Sequence, residues 1–226
     1  MQTPPPSQKR AAYCDIDGTL AATNIVMPLM WFKRRQLRPL ARWAWLLSLG
    51  LRGLWWLLLD RASRGASNRA IYANYAGLPV ETTKQLAELC FNECLKPRLF
   101  PQALEELAAL RHAGVELVLV TGGLDFIARP IAEYLKAELI APKLVEQNGV
   151  FTGALAGGPL TGAGKAEALR EHSRGHGIEL AQCYAFGDAY GDLPMLEAVG
   201  NPVAVNPDRR LAKIARARGW QLRQWR

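Results

Sequence analysis

The sequence predicts an α/β protein, a parallel sheet with helices on both faces, carrying an all-helical insert after its first strand. Three observations predict it. Short apolar runs alternate with helical patterns from about residue 98 onward, the rhythm of a parallel sheet. The apolar run Ala11-Ala12-Tyr13-Cys14 breaks into Asp15-Ile16-Asp17-Gly18-Thr19, a buried strand ending in a glycine turn. Residues 24–96 hold several helical stretches and no convincing strand, and they separate that first strand from the rest of the pattern.

The elements follow in order. Residues 1–10 are polar and proline-rich, with no apolar core of signal-peptide length, and read as a disordered lead-in. The core is expected over 11–23 and 97–226. The block 24–96 is expected as a helical cap, a lid over the sheet's C-terminal edge. Ala103 to His112 has a helical pattern closed by Gly114, and 115–120 (VELVLV) is a buried strand ending at Thr121-Gly122-Gly123. Asp125 to Lys136 reads as a helix despite Pro130 inside it. Glu138 to Ala141 is a short strand. Asn148-Gly149 between Lys143–Gln147 and Val150–Ala156 is a hairpin signal. Lys165 to His176 is a helix, Cys183 to Phe186 a strand, Pro202 to Val205 a last strand, and Pro207 to Arg218 a basic helix.

Within the insert, residues 43–59 read WAWLLSLGLRGLWWLLL, with Arg34, Arg35, Arg38 and Arg42 before and Arg61 and Arg64 after. The run is at the short limit for a membrane span, and Arg52 lies near its middle. A cap helix buried against its neighbours and an interfacial helix on an anionic membrane both fit, the four tryptophans suiting a water–lipid boundary.

Composition bounds the partners. Half of the 226 residues are apolar, which excludes a disordered chain. Lys+Arg 28 against Asp+Glu 20 gives a net charge of +8, favouring anionic partners such as phosphorylated metabolites, acidic lipid headgroups or nucleic acid. Cys14, Cys90, Cys94 and Cys183 have no zinc spacing and read as small buried side chains, in keeping with a reducing cytosol. The basic tail, Asp208 to Arg226, interleaves arginines with Trp220 and Trp225 and reads as a solvated basic helix.

Four segments fall where an α/β sheet would bring them together. Asp15 and Asp17 stand two apart, so both carboxylates can face one pocket at the strand's C-terminal edge, where open α/β sheets bind ligands. Thr121 ends the next strand, with Gly122 and Gly123 leaving N–H groups open to an anion. Lys165 opens a helix after a glycine-rich loop. Asp188 and Asp192 follow the strand ending at Phe186. Four acids, a hydroxyl, an ammonium and a glycine nest suit phosphoryl transfer: acids for Mg²⁺ and the nucleophile, donors for phosphate oxygens.

Asp-x-Asp-Gly-Thr, a strand-terminal Thr-Gly, a distant Lys and Gly-Asp-x-x-x-Asp, in that order, resemble the haloacid dehalogenase-like (HAD) superfamily over roughly residues 11–208. The helical insert resembles its C1-type cap, and 121–125 (TGGLD), the Asn-Gly hairpin and 187–196 (GDAYGDLPML) resemble its phosphoserine phosphatase branch. The resemblance implies a Rossmann-like core and a Mg²⁺-dependent phosphatase. It implies Asp15 as nucleophile and Asp17 as general acid and base. Thr121, Gly122 and Lys165 would hold the phosphoryl group. Asp15, the Asp17 carbonyl and Asp188 would bind the metal, with Asp192 orienting Lys165 or a metal-bound water.

The substrate expected is a small phosphorylated metabolite such as phosphoserine, gripped by Arg69 of the cap, ten residues before Pro79. Two positions depart from the phosphoserine pattern: Asn24 stands where a cap-side glutamate is expected, and Gly191 where an asparagine is. The alternative is a lipid phosphate of the phosphatidylglycerophosphate or lysophosphatidate type, in a cytoplasmic protein held at the inner face of a membrane through 43–59. A non-catalytic module binding anions or nucleic acid is the remote alternative, since it would not need four catalytic elements.

Overall fold

A computed structural model describes residues 9–226. Among them, six strands form one sheet in which every pairing is parallel. β1 (Arg10–Cys14) lies inside it, between β2 (Val115–Val120) and a later strand, Tyr184–Gly187. β3 (Glu138–Ile140) closes the β2 side. Side chains of β1 alternate between faces: Ala12 and Cys14 join one apolar cluster, Ala11 and Tyr13 the other. With both faces covered, such a strand carries a continuous apolar run rather than an alternating one.

After β1 the insert forms four α-helices: α1 (Val26–Gln36), α2 (Pro39–Ala62), α3 (Arg64–Tyr72) and α4 (Val80–Cys90). α5 (Pro101–His112) leads into β2, and α6 (Asp125–Leu135) contains Pro130 without ending there. Next comes a hairpin of β4 (Leu144–Gln147) and β5 (Val150–Leu155), then α7 (Ala163–His176). Asn148 (φ +50°) and Gly149 (φ +75°) supply the two left-handed residues of its tight turn. The chain continues through β6 (the Tyr184–Gly187 strand), α8 (Leu193–Leu196), β7 (Asn201–Val205), α9 (Arg209–Ala217) and β8 (Gln221–Arg223). The sheet order is β3-β2-β1-β6-β7-β8.

The hairpin does not extend the sheet. It docks on the helical insert, where Gly77 N–H donates to the Phe151 carbonyl (2.9 Å) and Phe151 N–H to the Leu78 carbonyl (3.0 Å). Neither partner's sequence signals this pairing.

Three expectations need correction. Arg10 opens β1 and Lys9 bridges Ile178, so the expected lead-in is already ordered there; residues 1–8 lie outside the described residues. The basic tail is not a solvated helix throughout. It adds β8 to the sheet edge, and Trp225 is buried, stacked on Phe186 at 5.6 Å between ring centroids. α2 is not a buried cap helix either, for Trp56 is its one buried residue. Leu40, Trp43, Leu47, Leu51, Leu54 and Leu58 are 49–87% exposed. Their spacing of three and four puts them on one helical stripe. Among the described residues no helix is long and apolar enough to cross a membrane.

Candidate active site

The loop after β1 turns back at once. Gly18 takes φ +87°, and its N–H donates to the Ala21 carbonyl at 2.8 Å. Glycine is required there twice over. The φ is left-handed, and a Cβ would lie 2.3 Å from Asp188 Oδ2. The turn thus lets the carboxylate that follows β6 approach the one that follows β1.

Asp15 is buried at the head of this loop. Opposite it, Lys165 sits in the first turn of α7, and its Nζ donates to Asp15 Oδ1 and to Asp192 Oδ1, each at 2.7 Å. Asp188 Oδ1 accepts from Thr19 Oγ1 (3.0 Å), and Asp192 Oδ2 accepts from Ala189 N–H (3.2 Å). One carboxylate oxygen from each of Asp15, Asp188 and Asp192 lies within 4.8 Å of the other two. Asp17 turns aside: its Oδ1 accepts from Thr23 Oγ1 at 2.7 Å.

Charge follows from this crowding. Burial pushes the Asp15 carboxyl up to about 8; Lys165 pulls it down, and Asp192 and Asp188 push it up again. Burial and then Asp192 raise Asp188 to about 6. Burial also raises Asp17, against the Thr23 hydrogen bond and the charges of Lys165 and Arg64. Burial disfavours the Lys165 ammonium, but Asp15 and Asp192 outweigh it and hold the proton on the lysine. Three carboxylates against one ammonium leave excess negative charge. An all-oxygen, anionic donor set of this kind fits a hard divalent cation such as Mg²⁺.

A cavity of about 570 Å³ opens over the cluster. Its floor holds Asp15, Asp17, Lys165, Asp188 and Asp192; Gly122 borders it, and Leu49, Trp56, Leu57 and Ile71 of the helical insert form apolar wall. Thr121 is buried at the end of β2. It borders an adjoining smaller cavity shared with Asp17 and Thr23. Its Oγ1 accepts from Gly123 N–H (2.9 Å), which leaves its own proton available to a further acceptor.

The structure thus brings together every expected core residue, with Thr121 one layer behind. It does not bring Arg69. That residue is exposed on α3 and absent from the cavity lining, which takes Arg64, Ser67, Asn68 and Ile71 instead. Positions 64, 67, 68 and 71 repeat at three and four, the spacing of one helical face, and 69 falls off it. Arg64 is therefore the α3 arginine that lines the cavity, and helical periodicity separates its face from that of Arg69. Thr19 and Thr23, which hold Asp188 and Asp17, were also missed as site residues. Thr23 lies six residues from the acid it serves, whereas Thr19 ends the Asp15–Thr19 motif and reaches an acid 169 residues away.

Comparison with known proteins shows the family of the chain. Residues 12–197 match the family model of haloacid dehalogenase-like hydrolases. A probable phosphatase of Mycobacterium tuberculosis (strain ATCC 25618 / H37Rv) is 32% identical over 236 residues, covering 97% of this chain and 79% of that protein. A phosphoserine phosphatase of the same strain is 35% identical over 162 residues, covering 71% of this chain and 53% of that protein. Among solved structures, a protein of unknown function from Bordetella pertussis Tohama I superposes with a TM-score of 0.82 at 27% identity, covering 96% of this chain and 99% of that one. A phospho-aspartyl intermediate analogue of phosphoserine phosphatase shares the fold, with a TM-score of 0.66 at 21% identity over 92% of this chain and 91% of that one.

Proposed function

The chain belongs to the haloacid dehalogenase-like hydrolases and is a phosphatase among them, and from that premise we propose that it cleaves phosphate monoesters through an aspartyl-phosphate on Asp15. One observation carries the reading. Lys165 bridges Asp15 and Asp192 at 2.7 Å each, beside Asp188, on the floor of a cavity wide enough for a small phosphate ester.

Asp15 Oδ attacks phosphorus, and the bond from phosphorus to the substrate alcohol breaks. Asp17, raised by burial, gives its proton to the leaving oxygen. It then takes a proton from water as that water attacks phosphorus, which releases phosphate and restores the Asp15 carboxylate. Lys165, the Thr121 hydroxyl and the Gly122 N–H stabilise charge on the phosphoryl oxygens. Asp192 keeps Lys165 in position. Asp15, the Asp17 carbonyl and Asp188 would hold Mg²⁺, which supplies charge neutralisation for nucleophile and phosphoryl group. Helices 24–96 serve as the cap that excludes water and selects the alcohol.

For the alcohol, the name of the mycobacterial relative supports a small metabolite such as phosphoserine. A second reading has its own observation. Trp56 and Leu57 line the cavity on the helix whose other side carries the exposed stripe from Leu40 to Leu58. A soluble monomer rarely leaves such a row to water. The arginines at 34, 35, 38 and 42 flank its start, so an anionic lipid surface fits both its apolarity and its charge. A lipid phosphate would then enter beside α2.

The test is Mg²⁺-dependent phosphate release from phosphoserine, phosphatidylglycerophosphate, lysophosphatidate and p-nitrophenyl phosphate, with Asp15→Asn as control. Release by the native chain and none by the variant is expected. Release that survives Asp15→Asn overturns the mechanism. Preference for phosphoserine removes the lipid reading, and preference for a lipid phosphate selects it.

A further inference from the structure

Apart from the carboxylate cluster, a second group of potential ligands stands toward the other end of the helix that carries Lys165. His172 and His176 are one turn apart near the end of α7, and Glu138 opens β3 beside them. His172 Nε2 lies 3.0 Å and His176 Nε2 4.0 Å from Glu138 Oε2. One ligand atom from each of the three lies within 4.8 Å of the other two. We propose that Glu138, His172 and His176 form a binding site for a borderline transition metal, of which Zn²⁺ is the representative, separate from the phosphoryl-transfer centre.

Hydrogen-bond logic carries this. His176 Nδ1 is 2.9 Å from the His172 backbone carbonyl. A carbonyl only accepts, so Nδ1 bears the proton, and a neutral ring then carries its lone pair on Nε2. That lone pair faces the Glu138 carboxylate, another acceptor. At 4.0 Å the His176 and Glu138 acceptors have no hydrogen bond between them, and a metal ion placed there would be met by all three groups at once.

His172 is prepared for the same role. Its side chain is 8% exposed. Its Nδ1 is 3.1 Å from the Tyr13 hydroxyl, and the Tyr13 ring meets the imidazole edge-on, with centroids 5.6 Å apart at 88°. A metal-bound histidine characteristically donates its other N–H to a fixed acceptor, which sets tautomer and ring orientation. With a metal on Nε2, Tyr13 Oη would be that acceptor. Without metal the same contacts invert: His172 Nε2–H donates to Glu138 and the Tyr13 O–H donates to Nδ1. Glu138 and His176 are about half exposed, at 53% and 43%, so an ion has a path in and water can complete the shell.

The ligand set distinguishes the two sites chemically. Two imidazoles and a carboxylate suit Zn²⁺, Ni²⁺ or Cu²⁺, whereas the all-oxygen cluster suits Mg²⁺. Lys165 precedes His172 by seven residues, about 10 Å along the helix. An ion at the second site would pin the end of α7 to the edge of the sheet.

The experiment uses the full chain, stripped of metal and then saturated with Mg²⁺ to occupy the oxygen cluster. Zn²⁺ is titrated in competition with a chromophoric chelator. One Zn²⁺ per chain is expected, with affinity falling about tenfold or more in His176→Gln and in Glu138→Gln. Asp188→Asn should keep that Zn²⁺. Cu²⁺ loaded in the same way should show two nitrogen ligands in its electron paramagnetic resonance spectrum, and one in His176→Gln. Equal Zn²⁺ affinity in native and His176→Gln protein overturns the proposal. So does Zn²⁺ lost with Asp188→Asn but kept with His176→Gln. His176 is exposed, so its variant is expected to fold and to keep its Mg²⁺-dependent phosphatase activity. Loss of phosphate release in every form would refute the phosphatase mechanism and leave the Zn²⁺ result standing.

Discussion

The Lys165 ammonium donates to Asp15 at 2.7 Å although 150 residues separate them in sequence. Both groups are buried, and Lys165 makes an equal contact to Asp192. Removing one member of such a group leaves charges unpaired out of water. Lys165→Met is expected to cost about 3–5 kcal/mol in the metal-free protein near pH 8. It should lower turnover by about 10²–10³-fold. Denaturant unfolding and phosphate release check the two effects. Wild-type turnover in the variant would remove Lys165 from the mechanism.

Gly18 is the closest-fitting position in the site. Gly18→Ala sets a Cβ against Asp188 Oδ2 at 2.3 Å and holds an L residue at φ +87°. The backbone term alone is about 1–2 kcal/mol. The variant should melt lower and need more Mg²⁺ for half-maximal activity. An unchanged Mg²⁺ dependence would show that Asp188 can move away without consequence.

The acids set a pH dependence of stability. Asp15 and Asp188 titrate near 8 and near 6 in the metal-free fold, against about 4 when unfolded. Between about pH 4 and 8 the native state holds protons that the unfolded chain has lost, so stability falls as pH rises. Chelator-treated protein should therefore melt higher at pH 5.5 than at pH 8, and saturating Mg²⁺ should flatten the slope. A metal-free melting temperature that rises over this range would contradict the charge account.

Two arginines five residues apart should behave differently. Arg64 lines the cavity and acts on Asp17, whereas Arg69 is exposed outside the lining. Arg64→Ala is expected to raise KM several-fold, about the effect of removing one charge contact to an anion. Arg69→Ala should stay within about twofold, since it touches nothing in the cavity. Steady-state kinetics on a single ester decides it, and the reverse ranking would restore Arg69 as the specificity residue.

The stripe on α2 also has a direct test. Leu47→Glu with Leu51→Glu should abolish co-sedimentation with anionic vesicles while leaving p-nitrophenyl phosphate turnover unchanged. If the native chain ignores vesicles and instead sediments as a dimer that these changes dissociate, the stripe is a seam between copies.

Much of this was legible in the sequence because it is local. Asp15 and Asp17 share a turn, strand pattern places Thr121 and Asp188 at strand ends, and the Asn148-Gly149 hairpin needs only its own φ angles. Periodicity also sets Arg64 and Arg69 on different faces of α3. It could not say which face meets the cavity. Nor could it show that α2 turns most of its leucines outward: an apolar run reads alike whether a neighbour covers it or not.

The sequence by itself determined which chemistry-bearing residues exist and at which strand ends they stand, because strand and turn preferences act between near neighbours. Only the tertiary structure decided what they meet. It set Lys165 between Asp15 and Asp192, docked the hairpin on the insert, and converged Glu138, His172 and His176 at the far end of α7. These contacts join residues up to 150 positions apart. They depend on how helices seat against the sheet, and the packing of the whole chain, rather than any local preference, sets that seating.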